Sequence, residues 1–219
     1  MPSDEKIKRD IVDQLYWDGR VDASDIHVAI ADGNVVLRGT VPTYGASKAA
    51  ETGAWTVSGV RSVDNNIAVK HKGSLRIPTD QEIRKDIEMI LDWNPDIDAV
   101  GIKISVDGGE VILEGSVSSY WEKKRAEDLC GLIVGVREIT NSLLVVPSES
   151  VLDQAIADGI AKALARNPHI DADSIDIRVR DGVVTLSGSV PNRTAFEAAQ
   201  EAAQYSLGVV EIYNKLKIS

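Results

Sequence analysis

One short, strand-like stretch occurs three times in the sequence: VVLRGTV at Val35–Val41, VILEGSV at Val111–Val117 and VTLSGSV at Val184–Val190. Apolar or small residues recur at every second position of each copy, which is the period of a β-strand with one buried face. The fifth position, on the inward face, is always a glycine; these repeat glycines are Gly39, Gly115 and Gly188. A glycine inside a strand favours the close approach of another backbone, and we expect that backbone to belong to the second helix of the same repeat.

The similarity extends far beyond this stretch. Three blocks align without a gap, at Asp4–Lys70, Asp80–Val146 and Asp153–Ser219. Each block has the length of a small domain, near the lower limit for independent folding. The linkers between the blocks are short, so we expect interdomain packing between neighbouring repeats. The sequence therefore predicts three tandem domains, at residues 1–72, 78–147 and 150–219.

Each block predicts the same order of elements: helix, strand, strand, helix, strand. Apolar residues four positions apart, such as Ile7, Ile11 and Leu15, indicate the buried face of the first helix. The dipeptide Asp32–Gly33 between two alternating segments is typical of a β-hairpin turn. We expect the second helix to run from about Tyr44 to Ser58, with the glycine that follows it in the left-handed conformation of a helix C-terminus.

This αββαβ unit resembles the BON domain, a family named for osmotically inducible protein Y and nodulation proteins. The resemblance rests on the three quoted strands, the helix after each of them and the closing segments that begin at Gly59, Gly135 and Gly208. It implies an α+β fold of three tandem αββαβ domains, each with two helices packed on a three-stranded mixed sheet. It also implies a non-enzymatic binding module, because family members attach to phospholipid membranes and act in osmotic or envelope stress. Some relatives bind potassium ions.

Composition narrows the classes of partner. The chain has 219 residues and a formal net charge of −10, and it has neither a cationic surface composition nor a long apolar run. We therefore expect no nucleic-acid partner and no transmembrane segment, since the second needs roughly 20 consecutive apolar residues. The first residues are charged and lack the apolar region of a signal peptide. We expect a cytoplasmic protein, with a periplasmic location as the alternative if an upstream signal was removed.

The search for catalytic chemistry finds no pattern of a P-loop, a zinc protease, a redox dithiol or a serine hydrolase. The single cysteine, Cys130, falls on the inner stripe of a second helix and is expected to be a small buried hydrophobe. We therefore expect no enzymatic activity, no catalytic residue, no metal site and no cofactor.

Acidic loops leave one alternative open, a sensor of potassium or another cation. Its candidate ligands are the carboxylates of Asp96–Asp98 and Asp171–Asp176. The structural interpretation is that Asp22, Asp98 and Asp171, which share one position in the three blocks, accept hydrogen bonds from their own backbone in a turn.

Aromatic and cationic residues are the candidates for contact with a lipid or a partner. Four tryptophans against one phenylalanine is an unusual ratio. Trp17 and Trp93 end the first helix of two repeats, where the third has Arg166, and cations follow the aromatic pair that opens the second helix of the second repeat. Such residues suit a membrane interface. The hypothesis assigns lipid or partner contact to Trp17, Trp93, Tyr120, Trp121, Lys123, Lys124 and Arg125.

Other interpretations of these residues remain open. The aromatic residues equally suit packing between tandem domains, and the cations suit a solvated helix face. The sequence thus favours a stress-associated module that binds phospholipid or a membrane-associated protein. The cation or osmolyte sensor and a scaffold for protein interactions are the alternatives.

Overall fold

The computed structural model of the chain describes residues 2–70, 76–168 and 170–218. Within these residues the order helix, strand, strand, helix, strand occurs three times. The first repeat contains α1 (Asp4–Trp17), β1 (Ile26–Ala31), β2 (Asn34–Val41), α2 (Tyr44–Trp55) and β3 (Ser62–Val69). The second contains α3 (Asp80–Asp92), β4 (Ile102–Asp107), β5 (Glu110–Val117), α4 (Tyr120–Cys130) and β6 (Glu138–Val145). The third contains α5 (Asp153–Ala165), β7 (Ile175–Arg180), β8 (Val183–Val190), α6 (Arg193–Gln204) and β9 (Glu211–Ile218).

Each repeat forms its own three-stranded sheet, with the second strand in the middle. In the first and third repeats the hairpin pair is antiparallel and the pair of second and third strands is parallel, so these sheets are mixed. A parallel pair needs a crossover connection, which the second helix of the repeat supplies. The expected fold of three tandem α+β domains is confirmed. The predicted domain boundaries stay a prediction, and residues 1, 72 and 219 among them lie outside the described residues.

The contacts between Cα atoms divide the chain into two compact units, and the division passes through the second repeat. One unit contains Met1–Ile90, Ile104–Ile112 and Asp128–Thr140. The other contains Leu91–Lys103, Leu113–Glu127 and Asn141–Ser219. Each unit therefore joins a terminal repeat to part of the second repeat.

The core of the first repeat lies between its helices and its sheet. Ile11 and Leu15 of α1 are almost completely buried together with Leu37 of the central strand. Ala50 and Ala54 of α2 are also fully buried, and their small side chains let this helix lie close to the sheet. Burial of each large aliphatic side chain contributes about 1.5–3 kcal/mol. The apolar face predicted from the sequence is therefore the face that holds the repeat together.

The strand glycines do have another backbone against them, but the prediction that it belongs to the second helix is wrong. A Cβ atom on Gly39 or Gly115 would collide with the carbonyl oxygen of Asp25 or Gly101, at the end of the short 3₁₀ turn before the first strand. Both glycines have positive φ, +132° and +111°. The antiparallel register places Gly39 opposite Ile26, the residue that follows this turn. The glycine therefore accommodates the entry of the chain into the sheet.

The second helix also ends earlier than expected. It stops at Trp55, and the chain then makes two tight turns, with hydrogen bonds from the Val57 amide to Ala54 and from the Val60 amide to Val57. Gly59, at φ +96°, lies in the second of these turns and not at the end of the helix. Its missing side chain leaves room for Ile7 of α1.

An aspartate at the start of each first helix holds the β-hairpin turn of the same repeat. The Asp80 carboxylate accepts hydrogen bonds from the backbone amides of Gly108 and Gly109, both at 2.9 Å. Asp4 and Asp153 accept the equivalent pairs of bonds in the other two repeats. This contact, called the hairpin latch below, joins residues 28 and 29 positions apart in all three repeats.

Candidate functional site: exposed tryptophans and the junctions of the repeats

Trp17 is the last residue of α1 and points into solvent. The buried face of the helix takes Ile7, Ile11 and Leu15, which leaves Trp17 with 82% of its surface exposed. The centres of the Trp17 and Tyr16 rings lie 5.4 Å apart with the two ring planes perpendicular, and Tyr16 is itself 73% exposed. The end of α1 therefore presents an aromatic pair to solvent.

The turn after Trp17 is fixed by an ion pair. The Asp18 carboxylate accepts hydrogen bonds from the backbone and the guanidinium of Arg20, and these bonds lower the pKa of Asp18 to about 2. Because the helix ends at this turn, the pair holds the position from which Trp17 leaves the helix.

Trp93, the residue after α3, lies at the position equivalent to Trp17. It is also 82% exposed, and Met89, one helical turn earlier, is 44% exposed. The turn after it is closed by hydrogen bonds from the Asn94 amide to Leu91 and from the Asp96 amide to the Asn94 side chain. The first and second repeats thus each carry an exposed indole at the same position.

The aromatic and cationic residues of α4 have a different environment, because the third repeat covers part of them. The Trp121 ring lies 6.5 Å from the Tyr205 ring. Lys123 Nζ lies 3.3 Å from the Glu211 carboxylate, and the Lys123 side chain is only 16% exposed. The structure therefore brings together Trp121 and Lys123 with two residues of the third repeat that sequence reasoning did not single out.

Tyr120 belongs to the same junction and is not a surface residue. It is 8% exposed, and burial, with smaller contributions from Glu211 and Glu127, raises its pKa to about 12. Lys124 pairs with Glu127 on its own helix at 3.0 Å, and Arg125 is half-buried. The cations of α4 are therefore not one solvated cluster.

The first and second repeats meet through the equivalent helix. Tyr44 opens α2 as Tyr120 opens α4, and its ring packs on the backbone of Gly131, where an added Cβ would lie 3.0 Å from the ring. Beside this contact is a cleft of about 550 Å³. Its lining includes Ser47 and Glu51 from the first repeat and Glu138 from the second. The sequence indicates both junctions through one feature, which is that Tyr44 and Tyr120 occupy equivalent positions in the first two repeats.

Three loop aspartates that share one position in the repeats form turns with their own backbone. Asp22, Asp98 and Asp171 each accept a hydrogen bond from the backbone amide two residues later, at 3.2–3.3 Å. The interpretation of these residues as turn-forming is confirmed. In the part of the chain that the structure describes, no group of three or more histidine, cysteine, aspartate or glutamate side chains is arranged to hold a metal ion.

Glu122 of α4 is a buried carboxylate that sequence reasoning missed. It is 3% exposed and accepts hydrogen bonds from the backbone amides of Asp98 and Ser118 and from the Ser118 hydroxyl, at 2.7–2.9 Å. A buried carboxylate that accepts these hydrogen bonds fixes the loops that donate them. Its role is therefore structural.

Asn65 and Asn141 hold the third strand to the second helix. Their side-chain amides donate to the backbone carbonyls of Ser47 and Lys123, at 3.1 and 2.8 Å. The two repeats therefore share this hydrogen bond. It also shows that Ser47 and Lys123 occupy the same place within their repeats.

These features define a tandem array of small α+β domains whose candidate sites are contact surfaces. Among the described residues no helix is both long and apolar enough to span a bilayer. The chain belongs to the BON domain family, since the family's sequence profile matches residues 3–71, 79–147 and 152–219. The expected family and the expected number of repeats are confirmed.

Two curated relatives match part of the chain. The "Uncharacterized protein in gshII 5'region" of Anaplasma centrale is 31% identical over 118 residues, which is 53% of this chain and 78% of the relative. The "21 kDa hemolysin" of Actinobacillus pleuropneumoniae is 31% identical over 126 residues, 57% of this chain and 65% of the relative.

Solved structures give weaker similarities. CdsD, a structural protein of the type III secretion system of Chlamydia trachomatis, is 16% identical with a TM-score of 0.27, and the match covers 96% of this chain and 91% of CdsD. The periplasmic domain of the type III secretion inner membrane protein PrgH from S. typhimurium is 14% identical with a TM-score of 0.23, over 89% of this chain and 94% of that domain. Similarities at this level support no argument about function.

Proposed function

We propose that the chain is a non-enzymatic binding module that attaches to phospholipid membranes through Trp17 and Trp93. The observation that carries this proposal is the 82% exposure of both indoles at the same position of two repeats. An exposed indole gains free energy when its ring enters the interfacial region of a bilayer, where its apolar body is buried and its N–H stays hydrated. Two indoles give two anchoring points.

The charge of the chain favours zwitterionic lipid. With a formal net charge of −10, the protein is repelled by an anionic membrane surface. Two of the three cations of α4 do not offset this repulsion locally, because Lys123 and Lys124 are paired with Glu211 and Glu127. Attachment therefore depends on the indoles and strengthens as the anionic lipid content falls.

Two further points support a membrane as the target. The chain belongs to a family whose members, as the sequence resemblance implies, act at membranes and in osmotic or envelope stress. One of its relatives is named a hemolysin. We place the attachment of this chain in the same stress setting.

Tryptophan fluorescence and co-sedimentation with phosphatidylcholine vesicles test the proposal. We expect a blue shift of the emission and pelleting of the protein with vesicles, both lost in the double variant Trp17→Ser/Trp93→Ser. Since both side chains are exposed, the variant keeps its circular dichroism spectrum. Trp121→Phe is the matched control. Because the Trp121 ring packs on Tyr205 and is not one of the two proposed anchors, this variant is expected to pellet with the vesicles. Pelleting of the double variant at the level of the parent protein would refute the proposal.

A further inference from the structure

The junction of the second and third repeats contains a built-in ammonium group. Lys123, the fourth residue of α4, extends to Glu211, the first residue of β9, with 3.3 Å between Nζ and the carboxylate. The lysine side chain is 16% exposed, and the buried ring of Tyr120 lies close enough to Glu211 for the carboxylate to raise the pKa of the phenol. The ammonium group therefore sits beside a glutamate.

The junction of the first and second repeats has the same glutamate and tyrosine but no lysine. Glu138 is the first residue of β6 and Tyr44 the first residue of α2. The fourth residue of α2 is Ser47, whose short side chain is buried. The asparagine bond described above places the backbone of Ser47 and Lys123 equivalently, so the missing lysine leaves space on the same side of the helix.

That space is the cleft of about 550 Å³, which is lined by Tyr44, Ser47 and Glu138. Its volume lies in the range of small-molecule sites, about 300–1,000 Å³. Three carboxylates and two cations line it. Lys48, one of the cations, pairs with Glu51 at 3.3 Å, and its Nζ atom lies over the Tyr44 ring, 5.8 Å from the ring centre. In the described part of the chain, Glu138 makes no ion pair within 4 Å.

We propose that this cleft binds an alkylammonium group, which takes the place that the Lys123 side chain has in the other junction. Glu138 neutralises the charge, and Ile139, which also lines the cleft, contacts the carbon atoms next to it. The ligand is a free amine or quaternary ammonium compound, or the ammonium headgroup of a lipid. The site does not depend on the proposed membrane attachment, because neither Trp17 nor Trp93 lines the cleft.

The first test uses n-butylammonium chloride, which reproduces the lysine side chain, with the full-length chain at constant ionic strength. We expect saturable shifts of the backbone amide signals of Tyr44, Ser47 and Glu138 in nuclear magnetic resonance spectra. Butan-1-ol, a neutral molecule of similar size, is expected to bind at least fivefold more weakly. Equal affinity for the alcohol, the absence of saturable shifts, or the same shifts with potassium chloride would overturn the assignment.

Matched variants locate the site. Glu138→Gln, at an exposed position that preserves the fold, is expected to weaken butylammonium binding at least fivefold, whereas Glu211→Gln leaves the affinity unchanged. Ser47→Lys supplies the missing side chain and is expected to abolish binding. Unchanged affinity in Glu138→Gln would refute the site even if Ser47→Lys fails to fold.

Separate ligands distinguish the two sources. Ethanolamine and choline as free compounds are compared with vesicles of phosphatidylethanolamine, and the same amide signals are followed. Shifts with the free compounds alone identify a free amine, and shifts with the vesicles identify a headgroup. The double variant Trp17→Ser/Trp93→Ser keeps its butylammonium affinity, so loss of vesicle attachment and loss of this site are separate results. No shifts with any of these ligands would overturn the proposal.

Discussion

Removal of the hairpin latch in the second repeat is expected to destabilise that repeat strongly. In Asp80→Ala the amides of Gly108 and Gly109 lose a charged acceptor at 2.9 Å. Hydrogen bonds to charged groups contribute about 1.5–3 kcal/mol each. The Gly108 amide is exposed and regains a water molecule, so its bond contributes at the lower end. Asp80 also interacts with the N-terminus of α3, which adds about 0.3–1 kcal/mol.

These contributions add up to about 3–5.5 kcal/mol, and we expect a loss of about 2–4 kcal/mol because hydrogen-bond contributions are not fully additive. Asp80→Asn keeps one acceptor oxygen and is expected to lose about half as much. Asp80→Glu keeps the charge near the helix end but displaces the carboxylate, so it separates the latch from the helix dipole. If the latch dominates, Asp80→Glu is closer in stability to Asp80→Ala than to the parent protein.

Native-state amide hydrogen exchange is the suitable assay, because three tandem domains need not unfold in one transition. The amides of β5 are expected to exchange roughly 25- to 700-fold faster in Asp80→Ala, given a factor of ten per 1.4 kcal/mol. The amides of β8, in the third repeat, serve as the internal control and keep their rates. Acceleration below about fivefold, or equal acceleration in both strands, would refute the reasoning.

Three further predictions concern stability. Gly115→Ala places a Cβ against a carbonyl oxygen at φ +111°, and we expect it to destabilise the fold by about 4 kcal/mol or more. Gly159→Ala has open space in the middle of α5 and is expected to stabilise the fold by about 0.5–1 kcal/mol. Similar effects of the two variants in thermal melts would contradict this prediction. The pKa of Tyr120 is raised from 10.0 to about 12, so its phenol stabilises the folded state below pH 10 and this contribution is lost as the pH rises through 12. Circular dichroism is therefore expected to show a smaller loss of folded protein at alkaline pH for Tyr120→Phe than for the parent protein. Identical alkaline unfolding profiles would disprove the effect. The pKa of Asp18 is lowered from 3.8 to about 2, so its carboxylate stabilises the fold above pH 3.8 by a small amount that is lost as the pH falls through 2. An Asp18→Asn variant that unfolds in acid with the same pH dependence as the parent protein would exclude this contribution.

The sequence predicts the elements of each repeat because their causes are local. The apolar spacing of Ile7, Ile11 and Leu15 defines a helix face, and Asp32–Gly33 fits a hairpin turn; both residues have positive φ in the structure. The predicted end of the second helix was wrong by three residues, because Val57 continues the apolar spacing of Ala50 and Ala54 beyond the last helical residue. Local sequence patterns thus predict which helices and strands form more accurately than they predict the residues at which these elements end.

What the sequence did not reveal depends on partners far away in the chain. The hairpin latch joins Asp80 to backbone amides, which have no side-chain signature, although the identical aspartate in three repeats was visible. The neighbour of Gly39 follows from the strand register, which places it beside the end of the 3₁₀ turn.

The candidate site was harder to predict than the fold. Trp17 and Trp93 were identified from their position, and the structure adds their exposure. Trp121 and Lys123 were identified too, but their contacts with the third repeat depend on how folded domains meet. No periodicity within one repeat encodes such a junction.

The lysine–glutamate pair at the second junction has a consequence for how such an array can be rearranged. Lys123 faces Glu211, whereas the corresponding residue of the first copy is Ser47 and the glutamate position of that copy holds Ser62. If the first two copies were exchanged by recombination, Lys123 would face Ser62 and Ser47 would face Glu211, and the chain would contain no such pair. The order of the copies therefore determines whether this ion pair can form. Duplication of a copy would lengthen the array, whereas exchange of the first two copies would remove the pair.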